Sequence, residues 1–120
     1  MRKVLIVDDE QEICLLLSIL LKKLGIKSTI AHSLTQGLAN YEPGEHELVF
    51  LDINLPDGNG LDIIPVLKSR DDEIKIVVIS AYDIKIESDE AEGLGIYRFI
   101  GKPFTKNTIV QLVDKIDSEN

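Results

Sequence analysis

Five short runs of aliphatic and β-branched residues, each followed by a longer segment of helical spacing, constrain this chain more than any other feature. Residues 3–8, 27–31, 47–52, 75–79 and a stretch near 96–100 read as strands. Helices are expected over about 10–24, stopped by Gly25, and over a segment capped by Ser33 that reaches Tyr41. Three more are expected over about 61–69, weakly over about 84–92, and over about 105–117. Apolar strands alternating with helices imply βαβ units, a parallel sheet and right-handed crossovers. The expected class is α/β, a doubly wound (βα)5 sandwich with helices on both faces.

For five strands the flavodoxin-like order 2-1-3-4-5 is the expected one, with strands one and three adjacent at the switch point. The 120 residues suffice for one domain with a real core and no disulfide. A net charge of −8 argues against attraction to nucleic acid or an anionic membrane. The single cysteine, Cys14, lies in an apolar stretch and reads as a small core residue. The apolar run Ile13 to Leu21 is too short to span a bilayer. Acids before it and Lys22-Lys23 after it do not fit a signal peptide. A cytoplasmic protein is expected.

The strand ends carry the chemistry. Asp8-Asp9 close the first strand and Asp52 the third; Ser80 follows the fourth, and Lys102-Pro103 follow the fifth. In a parallel α/β sheet the carboxyl ends of the strands share one edge, where ligands bind. Three carboxylates, a hydroxyl and an ammonium would meet there, with Asp9 and Asp52 facing each other across the crevice. Such a pocket suits a divalent cation beside a reactive carboxylate. Alone, Asp8-Asp9 could be a helix cap and Lys102 a solvated lysine; their shared edge is what distinguishes them. His32 and His46 are expected to be solvent-side residues without a catalytic role. Gly58 and Gly60 are expected to supply unusual turn angles, and no phosphate-cradling loop for a nucleotide is present.

These residues resemble the CheY-like receiver domain of response regulators along the whole chain. KVLIVDDE (Lys3 to Glu10) is similar to that family's first strand and acidic pair. FLDINLPDGNG (Phe50 to Gly60) is similar to its phosphoacceptor loop, with Asp52 at the acceptor position. Ser80-Ala81 match its hydroxyl and following small residue, Lys102-Pro103-Phe104 its lysine motif, and Phe99 its switch aromatic. The resemblance implies that a histidine kinase or phosphotransfer protein phosphorylates Asp52 in a Mg²⁺-dependent reaction. It implies Asp9, Asp52 and the main-chain carbonyl of Asn54 as direct Mg²⁺ ligands, with Asp8 acting through water. Lys102, the Ser80 hydroxyl and the Ala81 N–H would hold the phosphoryl oxygens. The Ser80 loop and Phe99 would turn inward on phosphorylation. Tyr82 and Asn54 occupy positions that tune the lifetime of the acyl phosphate.

The resemblance also implies a readout through helix four, strand five and helix five, toward an effector or a second copy. Helix four is rich in acids, with Ile84, Ala91 and Leu94 as its anchors, and is expected to be weakly held. In helix one, Ile13, Leu17, Leu20, Leu21 and Leu24 form a core stripe at helical spacing. Leu15, Ile19 and Leu16 fall outside it and, with Phe104, are candidate partner contacts. Two alternatives stand beside this reading. One is a receiver-like module that binds without phosphorylation. The other is an aspartate-nucleophile phosphohydrolase, which would want a second acid where this chain has Asn54.

Overall fold

The computed structural model describes residues 1–81 and 88–119, with backbone alone for Ser88 and Asp89. Strands β1 (Lys3–Val7), β2 (Lys27–Ala31), β3 (Leu48–Asp52), β4 (Lys75–Ala81) and β5 (Arg98–Lys102) form one sheet. All pairings are parallel, in the order β2-β1-β3-β4-β5. This is the doubly wound order expected from the alternating pattern. Helices α1 (Gln11–Lys23), α2 (Leu34–Asn40), α3 (Ile64–Arg70) and α4 (Ser88–Leu94) connect the strands, and α5 (Lys106–Glu119) follows β5. Among the described residues no helix is long and apolar enough to cross a membrane.

Alternation along the strands builds two apolar layers, because successive side chains point to opposite faces. Val4, Ile6, Phe50, Val77 and Ile79 pack with Cys14, Leu17 and Leu21 of α1 and Ile109, Leu112 and Ile116 of α5. Leu5, Val7, Val49, Leu51, Ile76 and Val78 pack on the other face with Ile64 and Leu67 of α3. The central strand β3 is buried throughout, so Asp52 emerges at the end of the best-anchored strand in the sheet. Cys14 is a buried core residue, as its apolar setting predicts.

Strand ends differ from the sequence expectation in ways that bear on the site. β4 runs two residues further, so Ser80 and Ala81 lie within the sheet, paired with Gly101 and Lys102. β5 begins two residues later. Gly95 takes a left-handed φ of 71° after α4, and the chain joins the sheet only when the Tyr97 N–H donates to the Ile76 carbonyl. Lys102 is therefore held by the ladder. The third helix begins with a 3-10 turn over Gly60–Ile63, and Pro65 stands in the first turn of α3, where a missing N–H is harmless. Leu24, expected in the core stripe of α1, is instead its exposed C-terminal cap. Helix α4 is described only from Ser88. Tyr82 and Ile84, with most of the stretch behind the expectation of a weakly held helix, lie outside the described residues.

Candidate functional site

Register alone assembles the site. β1 and β3 are neighbours, with Val7 paired to Leu51, so the residues that follow them leave the sheet side by side. Asp8, Asp9, Glu10 and Asp52 each offer a carboxylate oxygen, and these oxygens lie within 4.8 Å of one another. Asp8 and Asp52 are buried, Asp52 at 5% exposure; Asp9 and Glu10 face solvent. Lys102 reaches in from β5. Its Nζ lies 2.9 Å from Asp8 Oδ2, 2.8 Å from Glu10 Oε1 and 3.4 Å from Asp52 Oδ2. The Lys102–Pro103 peptide bond that follows is cis.

Crowding of like charge sets the electrostatics. Burial, reinforced by the nearby Asp8 charge, raises the Asp52 carboxyl from 3.8 to about 6 despite Lys102. Burial would lower Lys102, but its hydrogen bond to Glu10 and the charges of Asp8 and Asp52 win, holding the ammonium above its ordinary value. Asp8 Oδ1 accepts the Glu10 N–H at 2.8 Å. Asp8 Oδ2 is buried without an aligned hydrogen-bond donor; its compensation is the ion pair with Lys102. A buried, undersatisfied carboxylate oxygen among oxygen-only donors fits a hard divalent cation such as Mg²⁺.

The loop after β3 is structured. Asn54–Leu55 pairs antiparallel with Gly58–Asn59, and the Gly60 N–H donates to the Ile53 carbonyl at 2.7 Å. Gly58 has a φ of 148°, the unusual angle expected of it. Gly60 has no such angle. Its constraint is space, because a Cβ there would overlap the Asp52 carbonyl oxygen. At the hairpin tip Asp57 accepts from the Leu34 N–H at 2.8 Å, the Thr35 N–H at 3.0 Å and the Thr35 hydroxyl at 2.9 Å. It thus joins Ser33 in capping α2 and pins the loop to that helix.

Both histidines depart from the expected solvent-side placement. His46 is 1% exposed and stacks on Tyr41; its Nδ1 accepts the Glu42 N–H at 2.9 Å, leaving Nε2–H to face the Thr29 hydroxyl at 3.2 Å. His32 is half-buried beneath the acidic edge. Its Nδ1 lies 2.9 Å from the Asp8 carbonyl, an atom that only accepts, so this nitrogen carries the proton. The Cys14 thiol donates to the same carbonyl at 3.2 Å, and burial and the Asp8 charge raise it to about 11. His32 and Cys14 brace the backbone at the end of β1.

Ser80 is buried on β4 beside β3, Ala81 is exposed at the strand end, and Asn54 is exposed in the hairpin. Phe99 points outward at 45% exposure over a groove of about 320 Å³ between β5 and α5. Leu15, Leu16 and Ile19 are exposed on α1, Leu15 at 60%; Phe104 packs partly against the α1–α5 core. Sequence reasoning assigned no role to Glu10, His32 or Asp57. Their partners lie 92, 24 and 22 residues away, beyond the reach of any local pattern.

Residues 4–114 match the family model described as the response regulator receiver domain. The chain is 31% identical over 120 residues to the DNA-binding transcriptional regulator NtrC of Azospirillum brasilense, covering 98% of this chain and 24% of that protein. It is 30% identical over 108 residues to the photosynthetic apparatus regulatory protein RegA of Rhodobacter capsulatus, covering 90% and 59%. The chain thus spans less than two thirds of these relatives. Among solved structures, a CheY-like response regulator receiver domain protein from Methanospirillum hungatei superposes with a TM-score of 0.89 at 24% identity, over 99% of this chain and 95% of that one. NtrX from Brucella abortus superposes with a TM-score of 0.81 at 29% identity, over 96% of this chain and 27% of that one.

Proposed function

Because the chain belongs to the response regulator receiver domain family, we propose that Asp52 is its phosphoacceptor, served by a histidine kinase or a histidine phosphotransfer protein. The observation that carries this reading is the convergence of Asp52, Asp8 and Lys102 within ion-pair distance at the carboxyl edge of the sheet. In the transfer, the P–N bond of a phosphohistidine breaks as an Asp52 oxygen bonds to phosphorus. The imidazole nitrogen leaves with the bonding pair, and the product is an acyl phosphate. Little covalent work falls to the protein; positioning and charge do the rest.

Each neighbour then has a part. A Mg²⁺ ion held by Asp9, Asp52 and the Asn54 main-chain carbonyl, with Asp8 acting through water, would neutralise the charge on the phosphoryl oxygens. Lys102 contributes a point charge to one oxygen, and the Ser80 hydroxyl and the Ala81 N–H bind the others. The small Ala81 side chain leaves room for the group. Ser80 drawn toward the phosphoryl oxygens would vacate space for Phe99, now outward, and so alter the β5–α5 face presented to an effector domain or a second copy. The domain is a signalling module; its catalytic share is confined to its own phosphorylation and dephosphorylation.

The exposed leucines Leu15 and Leu16, with Ile19 and Phe104, form the surface that would receive the phosphodonor protein. The decisive experiment is intact mass after incubation with Mg²⁺ and acetyl phosphate, wild type beside Asp52→Ala. A phosphate-sized gain that needs Mg²⁺ and vanishes in the variant is the expected result. If neither acetyl phosphate nor a phosphorylated histidine donor produces that gain, the domain is a phosphorylation-independent binding module.

A further inference from the structure

Lys102 is shared, and unequally. Its Nζ is closer to Glu10 Oε1, at 2.8 Å, and Asp8 Oδ2, at 2.9 Å, than to Asp52 Oδ2, at 3.4 Å. The Glu10 side chain is 57% exposed, whereas those of Asp8 and Asp52 are almost fully enclosed. Glu10 therefore competes with Asp52 for the ammonium from the solvent side of the site, while Asp8 holds it from within. We propose that Glu10 is a positioning residue for the phosphoacceptor reaction, holding Lys102 off Asp52 until an arriving phosphoryl group takes the place of Glu10 as its partner. The inference rests on Asp52 being the phosphoacceptor.

A purely structural role for Glu10 is poorly supported. Glu10 is the N-cap of α1, yet its side chain makes no capping hydrogen bond. Its own N–H is satisfied by Asp8 Oδ1. The carboxylate, released from helix duties, instead bonds a lysine 92 residues away. Nor does charge balance call for it in the same way as the others. Asp8, Asp9 and Asp52 already supply three carboxylates for a divalent cation, and Glu10 is a fourth. As acetyl phosphate reacts, its P–O bond to acetate breaks while the Asp52 O–P bond forms. Acetate leaves with the pair, and no proton moves. The local change is that Asp52 loses its charge and a doubly charged phosphoryl group takes its place. Lys102 must then turn from Glu10 to that group, and Glu10 is left as an unpaired anion beside it.

A partly exposed ion pair contributes modestly, so the latch should be worth about a threefold effect. Three proteins test it: wild type, Glu10→Gln, and Glu12→Gln. Glu12 is an exposed acid in the first turn of α1 that is not among the partners of Lys102. The readouts are the rate of phosphorylation by acetyl phosphate, Mg²⁺ affinity, and affinity for beryllofluoride as a phosphoryl mimic. Expected for Glu10→Gln is phosphorylation and beryllofluoride binding each stronger by about threefold, with Mg²⁺ affinity unchanged and Glu12→Gln like wild type. An unchanged or slower Glu10→Gln, weakened Mg²⁺ binding in it, or an equal gain in Glu12→Gln would overturn the latch. A wild type that binds no beryllofluoride and takes no phosphate overturns the phosphoacceptor reading itself, and the latch with it.

Discussion

Gly60 lies against the backbone of Asp52 so closely that a Cβ on Gly60 would overlap the Asp52 carbonyl oxygen and stand 3.0 Å from its carbonyl carbon. Neither atom belongs to a flexible side chain, so relief must come from moving the backbone that carries the site. Gly60→Ala should cost about 2–4 kcal/mol, in the range of a backbone clash that cannot be relieved locally. It should also weaken Mg²⁺ binding. Gly101→Ala is the control, because nothing lies within 4 Å of a Cβ there. Urea unfolding of both variants checks the prediction, and equal stabilities would refute it.

Asp52 makes the resting site unstable to its own charge. Its carboxyl is raised from 3.8 to about 6, first by burial and then by Asp8. A raised carboxyl prefers to be protonated in the folded state. Its ionised form therefore costs stability above about pH 6, and the cost fades as pH falls from 6 toward 3.8. For a group this enclosed, the penalty is on the order of 2–3 kcal/mol. Without divalent cations, Asp52→Asn should be more stable than wild type at pH 7.5, and the gap should narrow below about pH 6 and close only near pH 4. Saturating Mg²⁺ should reverse the order. Thermal melts of the pair across pH, with and without Mg²⁺, decide it.

What the sequence disclosed and what it hid follow one physical division. The sheet, its order and the acids at its edge were legible because they depend on period and on where an apolar run stops. Asp8 stands directly after β1 and Asp52 ends β3, strands that alternate between two buried faces. Lys102 was legible as a motif, although the strand that holds it starts later than its apolar run because Gly95 turns the chain first. Side-chain reach was not legible. Nothing local tells that Glu10 will bond Lys102, or that Asp57 will cap a helix begun 23 residues earlier. Gly60 was legible as special, but for the wrong reason. Its requirement is the space filled by Asp52, which exists only in the folded loop.

His46 looked like a surface residue and is a buried one. Burial lowers its pKa below the ordinary 6.5, so the folded state keeps the ring neutral. The sign is opposite to that of Asp52: stability is lost as pH falls through 6.5, where the unfolded chain takes up the proton first. His46→Ala forfeits the bond from Glu42, the Thr29 contact and the stacking on Tyr41. It should be destabilised by about 2–3 kcal/mol at pH 7.5. Its stability should also fall less steeply than that of wild type between pH 7 and 5. Parallel acid slopes for the two proteins would show that His46 is not the titrating group.

Asp57 ties the loop after β3 to α2 through three hydrogen bonds. The bonds from Thr35 and Leu34 hold its carboxyl below the ordinary range. A depressed carboxyl stabilises the fold at neutral pH, and that contribution is lost as pH falls below about 4. Asp57→Ala should therefore expose the first turn of α2. The amides of Leu34 and Thr35 should exchange faster with solvent, while that of Gln36, held by Ser33, should change less. Hydrogen exchange followed by NMR distinguishes these amides individually, and uniform acceleration along α2 would count against a local clamp.

The exposed face of α1 is where donor proteins and small donors should part company. Leu15, Leu16 and Ile19 are exposed on a helix whose other face is fully engaged in the core by Leu17, Leu20 and Leu21. These side chains are only partly covered and add little to the fold, so changing Leu15 and Ile19 should cost no more than about 1 kcal/mol. If a partner helix covers it during phosphotransfer, Leu15→Asp with Ile19→Ser should slow transfer from a phosphorylated histidine protein at least about tenfold, as removal of central apolar contacts does at interfaces. The rate with acetyl phosphate should stay at the wild-type value, because that donor needs only the Asp52 edge. Measuring both rates on one preparation separates docking from chemistry. A double variant slowed equally with both donors would mean that the α1 face supports the site and not the partner.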